Sequence, residues 1–138
     1  MRIKKYLRIL FWTSFVTFAL NKFYIRPWVL KNDLPYVFQI SVLSLPNLIE
    51  AIMGTIVVTG LAFGAKRHLK RTIGNSSIYL ISVALTAIYV IAQELGYHNM
   101  GGNNVYDPYD LTASVLGLLL MLGLFHGFGF SSEHQQDA

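Results

Sequence analysis

From Leu111 to Phe130 the chain runs LTASVLGLLLMLGLFHGFGF, with no Asp, Glu, Lys or Arg in it. At 1.5 Å rise per residue, such a run reaches about 30 Å, the thickness of the hydrocarbon core of a bilayer. A water-facing fold seldom carries so long an uncharged stretch, so membrane architectures become the first expectation. The start of the helix is written just before it. Asp107 is placed to cap, Pro108 fits the first helical position, and Asp110 falls in the first turn, where the helix dipole favours an anion.

The rest of the chain has the same character. Its 138 residues make one domain, and only 13% of them are charged against 54% hydrophobic. Soluble domains carry roughly 25% charged residues, so the polar side chains here are too few to cover a water-facing surface. The absence of cysteine excludes a disulfide framework and thiolate metal sites. The net charge of +4 resides in short blocks, which fits membrane orientation and argues against nucleic acid as a partner.

Four apolar stretches predict an all-α, polytopic membrane protein with spans at about 7–24, 48–65, 78–95 and 111–130. The first follows Arg2, Lys4, Lys5 and Arg8, and resembles a signal peptide without a small-x-small cleavage site, so it reads as an uncleaved span. Lys22 and Arg26 stand at its far end beside an aromatic belt of Phe23, Tyr24 and Trp28. Pro27 and Pro35 make residues 27–45 a short interfacial or re-entrant segment in the preferred reading. The alternative joins it to the second span as one long, kinked helix. Pro46 and the pair Asn47 and Glu50 look like a boundary with a capping box at the start of the second span. Gly60 with Gly64 and Gly123 with Gly127 form GxxxG pairs suited, with Gly117, to close helix packing, and the pairs to a homo-oligomer. Ser82 and Thr86 lie one turn apart, ready to bond to a neighbour or back to their own helix.

Base counting sets the expected orientation. The N-terminus and the 66–71 loop hold eight of the eleven Lys and Arg residues, and the loop after the third span holds none. The positive-inside rule then puts both termini in the cytoplasm, as in a multi-pass protein of the cytoplasmic (inner) membrane.

With that topology the unusual residues share the far side. Glu50 opens the second span, Gln93 and Glu94 close the third, and Asp107 and Asp110 open the fourth. His98 and Asn104 fall in the loop between, and Arg26 lies at the same level. Ionisable groups at membrane depth are costly and usually face a wet cavity or a partner, which makes a binding site the default expectation. Glu50, Asp107 and Asp110 also have plain roles as caps or dipole partners. Glu94 has none, because a helix C-terminus disfavours an anion. Glu94, His98, Asp107 and Asp110 are donors suited to a divalent cation, although no metal-binding spacing appears. Nucleophile motifs, phosphate loops and dinucleotide fingerprints are absent from the sequence, so no catalytic residue is assigned and no cofactor is expected.

Over residues 80–120 the succession Gln93-Glu94, a short loop, Asp107-x-x-Asp110-Leu111 and Gly117 resembles the VanZ-like family of small bacterial integral membrane proteins. The resemblance implies a cell-envelope protein, linked in the family's namesake to teicoplanin resistance and without an established biochemical activity. Glu94, Asp107, Asp110 and Gly117 are the residues it carries over. The expected function is non-enzymatic binding of a lipid headgroup or cell-wall precursor at an acidic extracytoplasmic mouth. A small transporter or transporter subunit, and a membrane enzyme acting on a lipid-linked substrate, are the alternatives.

Overall fold

Pro46 does not begin a helix: it lies inside one. In the computed structural model, which describes residues 2–69, 73–95 and 107–129, a single 34-residue helix runs through it from Tyr36 to Leu69. Helices α1 (Arg2–Leu20) and α2 (Arg26–Lys31) precede it, joined by a π-helical turn at Asn21–Ile25. After it come α4 (Asn75–Glu94) and α5 (Pro108–Leu124), the latter ending in a second π-turn at Phe125–Gly129. The long helix is α3.

This corrects the interfacial segment expected at 27–45. Residues 26–31 complete the first helical rod, 32–35 turn the chain, and 36–45 belong to α3. The reason lies in two prolines and one asparagine. Proline has no N–H, so Pro46 leaves the carbonyl of Val42, four residues back, without its helical donor. Asn21, fully buried, supplies the replacement: its Nδ2 donates to the Val42 oxygen at 3.0 Å. A neighbouring helix that re-satisfies the freed carbonyl is what lets a membrane helix keep a proline. On the other rod, the π-turn before Pro27 is closed by the Arg26 N–H bonding to the Asn21 carbonyl. Asn47 and Glu50 therefore sit mid-helix, and the expected capping box is not formed.

The turn between α2 and α3 places Asp33 at φ 47°, a left-handed conformation that Asp tolerates better than most residues. Gln39 Nε2 donates to the Leu34 carbonyl at 2.8 Å and to Asp33 Oδ1 at 3.3 Å, tying the turn to the first turns of α3. At the opposite end Lys66 Nζ donates to Asn75 Oδ1 at 2.9 Å, joining the last turn of α3 to the first of α4.

The helices share two apolar layers. Leu7, Ile52, Tyr79, Met121 and Phe125 form one, with Tyr79 stacked on Phe125 at 4.5 Å and edge-on to Phe63 at 5.5 Å. Ala51, Val90 and Leu118 form the other, nearer the Glu94 end. Between α3 and α5 the backbones come very close. A Cβ built on Gly117 would lie 2.6 Å from the Leu48 carbonyl oxygen and 3.0 Å from the Ala51 Cβ, so only glycine fits there. At Gly54 an added Cβ would meet the Thr86 methyl at 3.2 Å. Gly60, Gly64, Gly123 and Gly127 are different, since a Cβ at any of them would meet nothing within 4 Å. The close packing inside this chain thus falls on Gly117 and Gly54. The hydroxyls of Thr55, Thr59, Ser82 and Thr86 line the helix contacts and all bond back to carbonyls one turn earlier.

Among the described residues, three helices are long and apolar enough to cross a membrane: Tyr36–Leu69, Asn75–Glu94 and Pro108–Phe128. Their outward faces carry large apolar side chains such as Leu61, Ile88, Leu119 and Leu120, all more than half exposed. A surface of that kind suits lipid and not water. The regular structure among the described residues is all helical, and its three apolar helices are those of a multi-pass membrane protein.

Candidate functional site

Helix α3 and helix α5 start at the same end of the bundle and run in parallel, with α4 returning between them. The end of α4 thus meets the start of α5, and the heights of the polar residues follow from the layer formed by Ala51, Val90 and Leu118. Glu50 is at this layer, beside Ala51. Glu94 is one turn past Val90, about 6 Å higher, and Asp110 lies two turns before Leu118, about 12 Å higher. The carboxylates descend like rungs from the rim into the bundle.

They act on one another. The charges that bear most on Glu94 are all acidic, in the order Asp110, Glu50 and Asp107. Arg26 and Lys22, the basic residues at this level, are both exposed on the first helical rod, and Lys22 rests over the Phe18 ring at 5.8 Å. Asp107 performs the cap assigned to it: its Oδ1 accepts from the Tyr109 N–H at 2.9 Å, and Pro108 is the first helical residue. Asp110 stands in the first turn of α5, half-buried. Glu50 is half-buried, and Tyr89, 54% exposed on the outside of α4, stands at its level, next to the Val90 that packs against Ala51. His98 and Asn104 lie outside the described residues.

Three polar atoms at this end are left unpartnered, and of their residues only Ser44 was not singled out in the sequence. Ser44 Oγ, Gln93 Oε1 and Asp110 Oδ1 are sealed from solvent and have no hydrogen-bond partner among the described residues. Ser44 is 7% exposed and lies one turn before Leu48, on the face of α3 that meets Gly117 of α5. Asp110 is two turns before Gly117, so Ser44 and Asp110 stand at nearly the same height on facing helices. Gln93 projects from α4 beside Glu94. A serine in an apolar-looking stretch carries no signal of its own in the sequence. Only the parallel register of α3 and α5 brings it opposite Asp110.

Buried polar atoms without partners are rare, since each costs about 1–3 kcal/mol. Three of the four found among the described residues, all but Asn21 Oδ1 on the first rod, lie where α3, α4 and α5 meet four carboxylates. Among the described residues no group of three or more His, Asp or Glu side chains is close enough together to hold a metal ion. The arrangement is acceptor-rich, extended in depth, and suited to a ligand that brings hydrogen-bond donors. Compared with protein-family models, curated proteins and solved structures, the chain matches none of them.

Proposed function

We propose that the protein is a four-span, non-enzymatic component of the bacterial cell envelope, in the manner of VanZ-like proteins, whose extracytoplasmic mouth binds a polar headgroup or lipid-linked envelope precursor. The first helical rod is the fourth span. Its four basic residues at the start lower its mean hydropathy, yet Leu7 packs in the shared core with residues of α3, α4 and α5. Both termini and the 66–71 loop face the cytoplasm, in keeping with their share of the Lys and Arg residues.

The observation that carries this reading is the gathering of Glu50, Glu94, Asp107 and Asp110, which belong to three different helices, within electrostatic reach at one end. Carboxylates stacked in depth at one end of a membrane bundle repel, and such an arrangement is kept where a ligand answers the charge. The test is lipid retention. Protein extracted from its host membrane and purified in mild detergent is expected to carry bound lipid or lipid-linked precursor, detected by native mass spectrometry. The Glu94→Gln/Asp110→Asn double variant, expressed at the same level, is expected to lose it. Equal retention by the two proteins overturns the reading.

A small transporter is the second reading, favoured by the depth of Glu50, which stands a turn below Glu94 within the bundle. It requires a wet path past Glu50, so cysteines placed along α3 and α4 would label from the aqueous side below that level. Labelling confined to the rim excludes it.

A further inference from the structure

We infer that the mouth recognises a lipid whose headgroup ends in a primary ammonium, and that this headgroup enters sideways from the bilayer between α3 and α4. The inference rests on the headgroup-binding reading above and names its ligand. The argument begins with Ser44. The buried hydroxyls of Thr55, Thr59, Ser82 and Thr86 all return to a carbonyl of their own helix. The hydroxyl of Ser44, 7% exposed, does not, and it has no other partner among the described residues. It faces α5 at the height of Asp110, whose Oδ1 is equally sealed and unpartnered, with Gln93 Oε1 in the same condition at the end of α4.

The two unpartnered atoms of Gln93 and Asp110 accept hydrogen bonds and cannot give them, and the surrounding charges at Glu50, Glu94 and Asp107 are negative. The missing complement is therefore a cation with several N–H donors. A bare metal ion does not fit, because the described carboxylates are spread in depth and form no chelating group. A quaternary ammonium lacks donors, and an anionic headgroup would meet repulsion. A primary ammonium offers three donors on one charge.

The route follows from Tyr89 and Glu50. Tyr89 is 54% exposed on the outside of α4 and precedes Val90, which packs against Ala51, the residue after Glu50 on α3. A half-buried carboxylate beside a lipid-facing tyrosine opens the site to the bilayer as well as to water. Lys22 and Arg26, exposed at the same end of the bundle, are available to the headgroup's phosphate.

The test measures binding of short-chain phosphatidylethanolamine, phosphatidylcholine and phosphatidylglycerol to the purified full chain, with free ethanolamine as competitor. Phosphatidylethanolamine is expected to bind roughly tenfold or more tighter than phosphatidylcholine, since hydrogen bonds to charged groups are worth that much each. Ser44→Ala is expected to weaken that binding several-fold while leaving the melting temperature of the lipid-free protein unchanged or raised. A serine with a merely structural role would lower the melting temperature instead. Tyr89→Phe is expected to weaken the lipid and leave folding intact. Equal affinity for phosphatidylethanolamine and phosphatidylcholine overturns the ammonium assignment, and so does unchanged binding by Ser44→Ala. Phosphatidylglycerol binding best overturns it too, while leaving the mouth as a headgroup site. Free ethanolamine competing as well as the lipid overturns the lipid source. Binding of none of the three overturns this inference without touching the precursor-binding reading, which the lipid-retention experiment decides on its own.

Discussion

Asn21 and Pro46 act as a pair, and their coupling is measurable. Asn21→Ala leaves the Val42 carbonyl buried without a donor, at a cost of about 1–3 kcal/mol. Pro46→Ala restores a backbone N–H four residues on, so the same Asn21→Ala change is expected to cost much less in that background. Thermal melting of the four proteins in one detergent closes the double-mutant cycle, and additive losses would show that the two residues are independent. Gly117 gives a second residue-level outcome. Gly117→Ala forces α3 and α5 apart and is expected to lower stability by about 1–3 kcal/mol. Gly60→Ala, with open space around it, is expected to be neutral or slightly stabilising, because alanine has the higher helix propensity. The sequence offered five glycines for helix packing, Gly60, Gly64, Gly117, Gly123 and Gly127, and of these only Gly117 meets a second helix within the chain. Spacing within one helix says nothing about where a second helix crosses it, so the sequence could not rank the five.

At the scale of elements, the spans of α4 and α5 were legible to within a few residues. Their starts are marked by Gly74 and by Asp107 with Pro108, and their apolar runs are uninterrupted. Helix α3 was not, because a proline read locally is a breaker and only a partner helix overrides it. The compensating donor, Asn21, lies 21 residues before the Val42 carbonyl it serves and looks like an ordinary interfacial polar residue. The same limit applied to the mouth. The carboxylates stood out as ionisable groups in apolar surroundings, but Ser44 could be placed opposite Asp110 only once α3 was known to continue upward past Pro46. Had α3 begun at Asn47, Ser44 would lie outside the helix altogether.

For the whole molecule, the proposed orientation yields a plain outcome. Reporters fused within residues 31–33 and 100–103 are expected to be active outside the cell, and one at 68–70 inside. A cytoplasmic signal from 100–103 would invert the mouth and remove the envelope reading. The length of α3 has a further result. At 34 residues it is about 50 Å long, well beyond a 30 Å hydrocarbon core, whereas the 20 residues of α4 just suffice. Its surplus lies at the Tyr36 end, where it is tied to the first rod through Asn21 and through the Leu34 N–H to the Val29 carbonyl. The bundle is therefore lopsided. A two-helix parapet stands on one flank of the acidic well and the rim is low where α4 ends, so whatever arrives there, from lipid or from water, comes over the α4 flank.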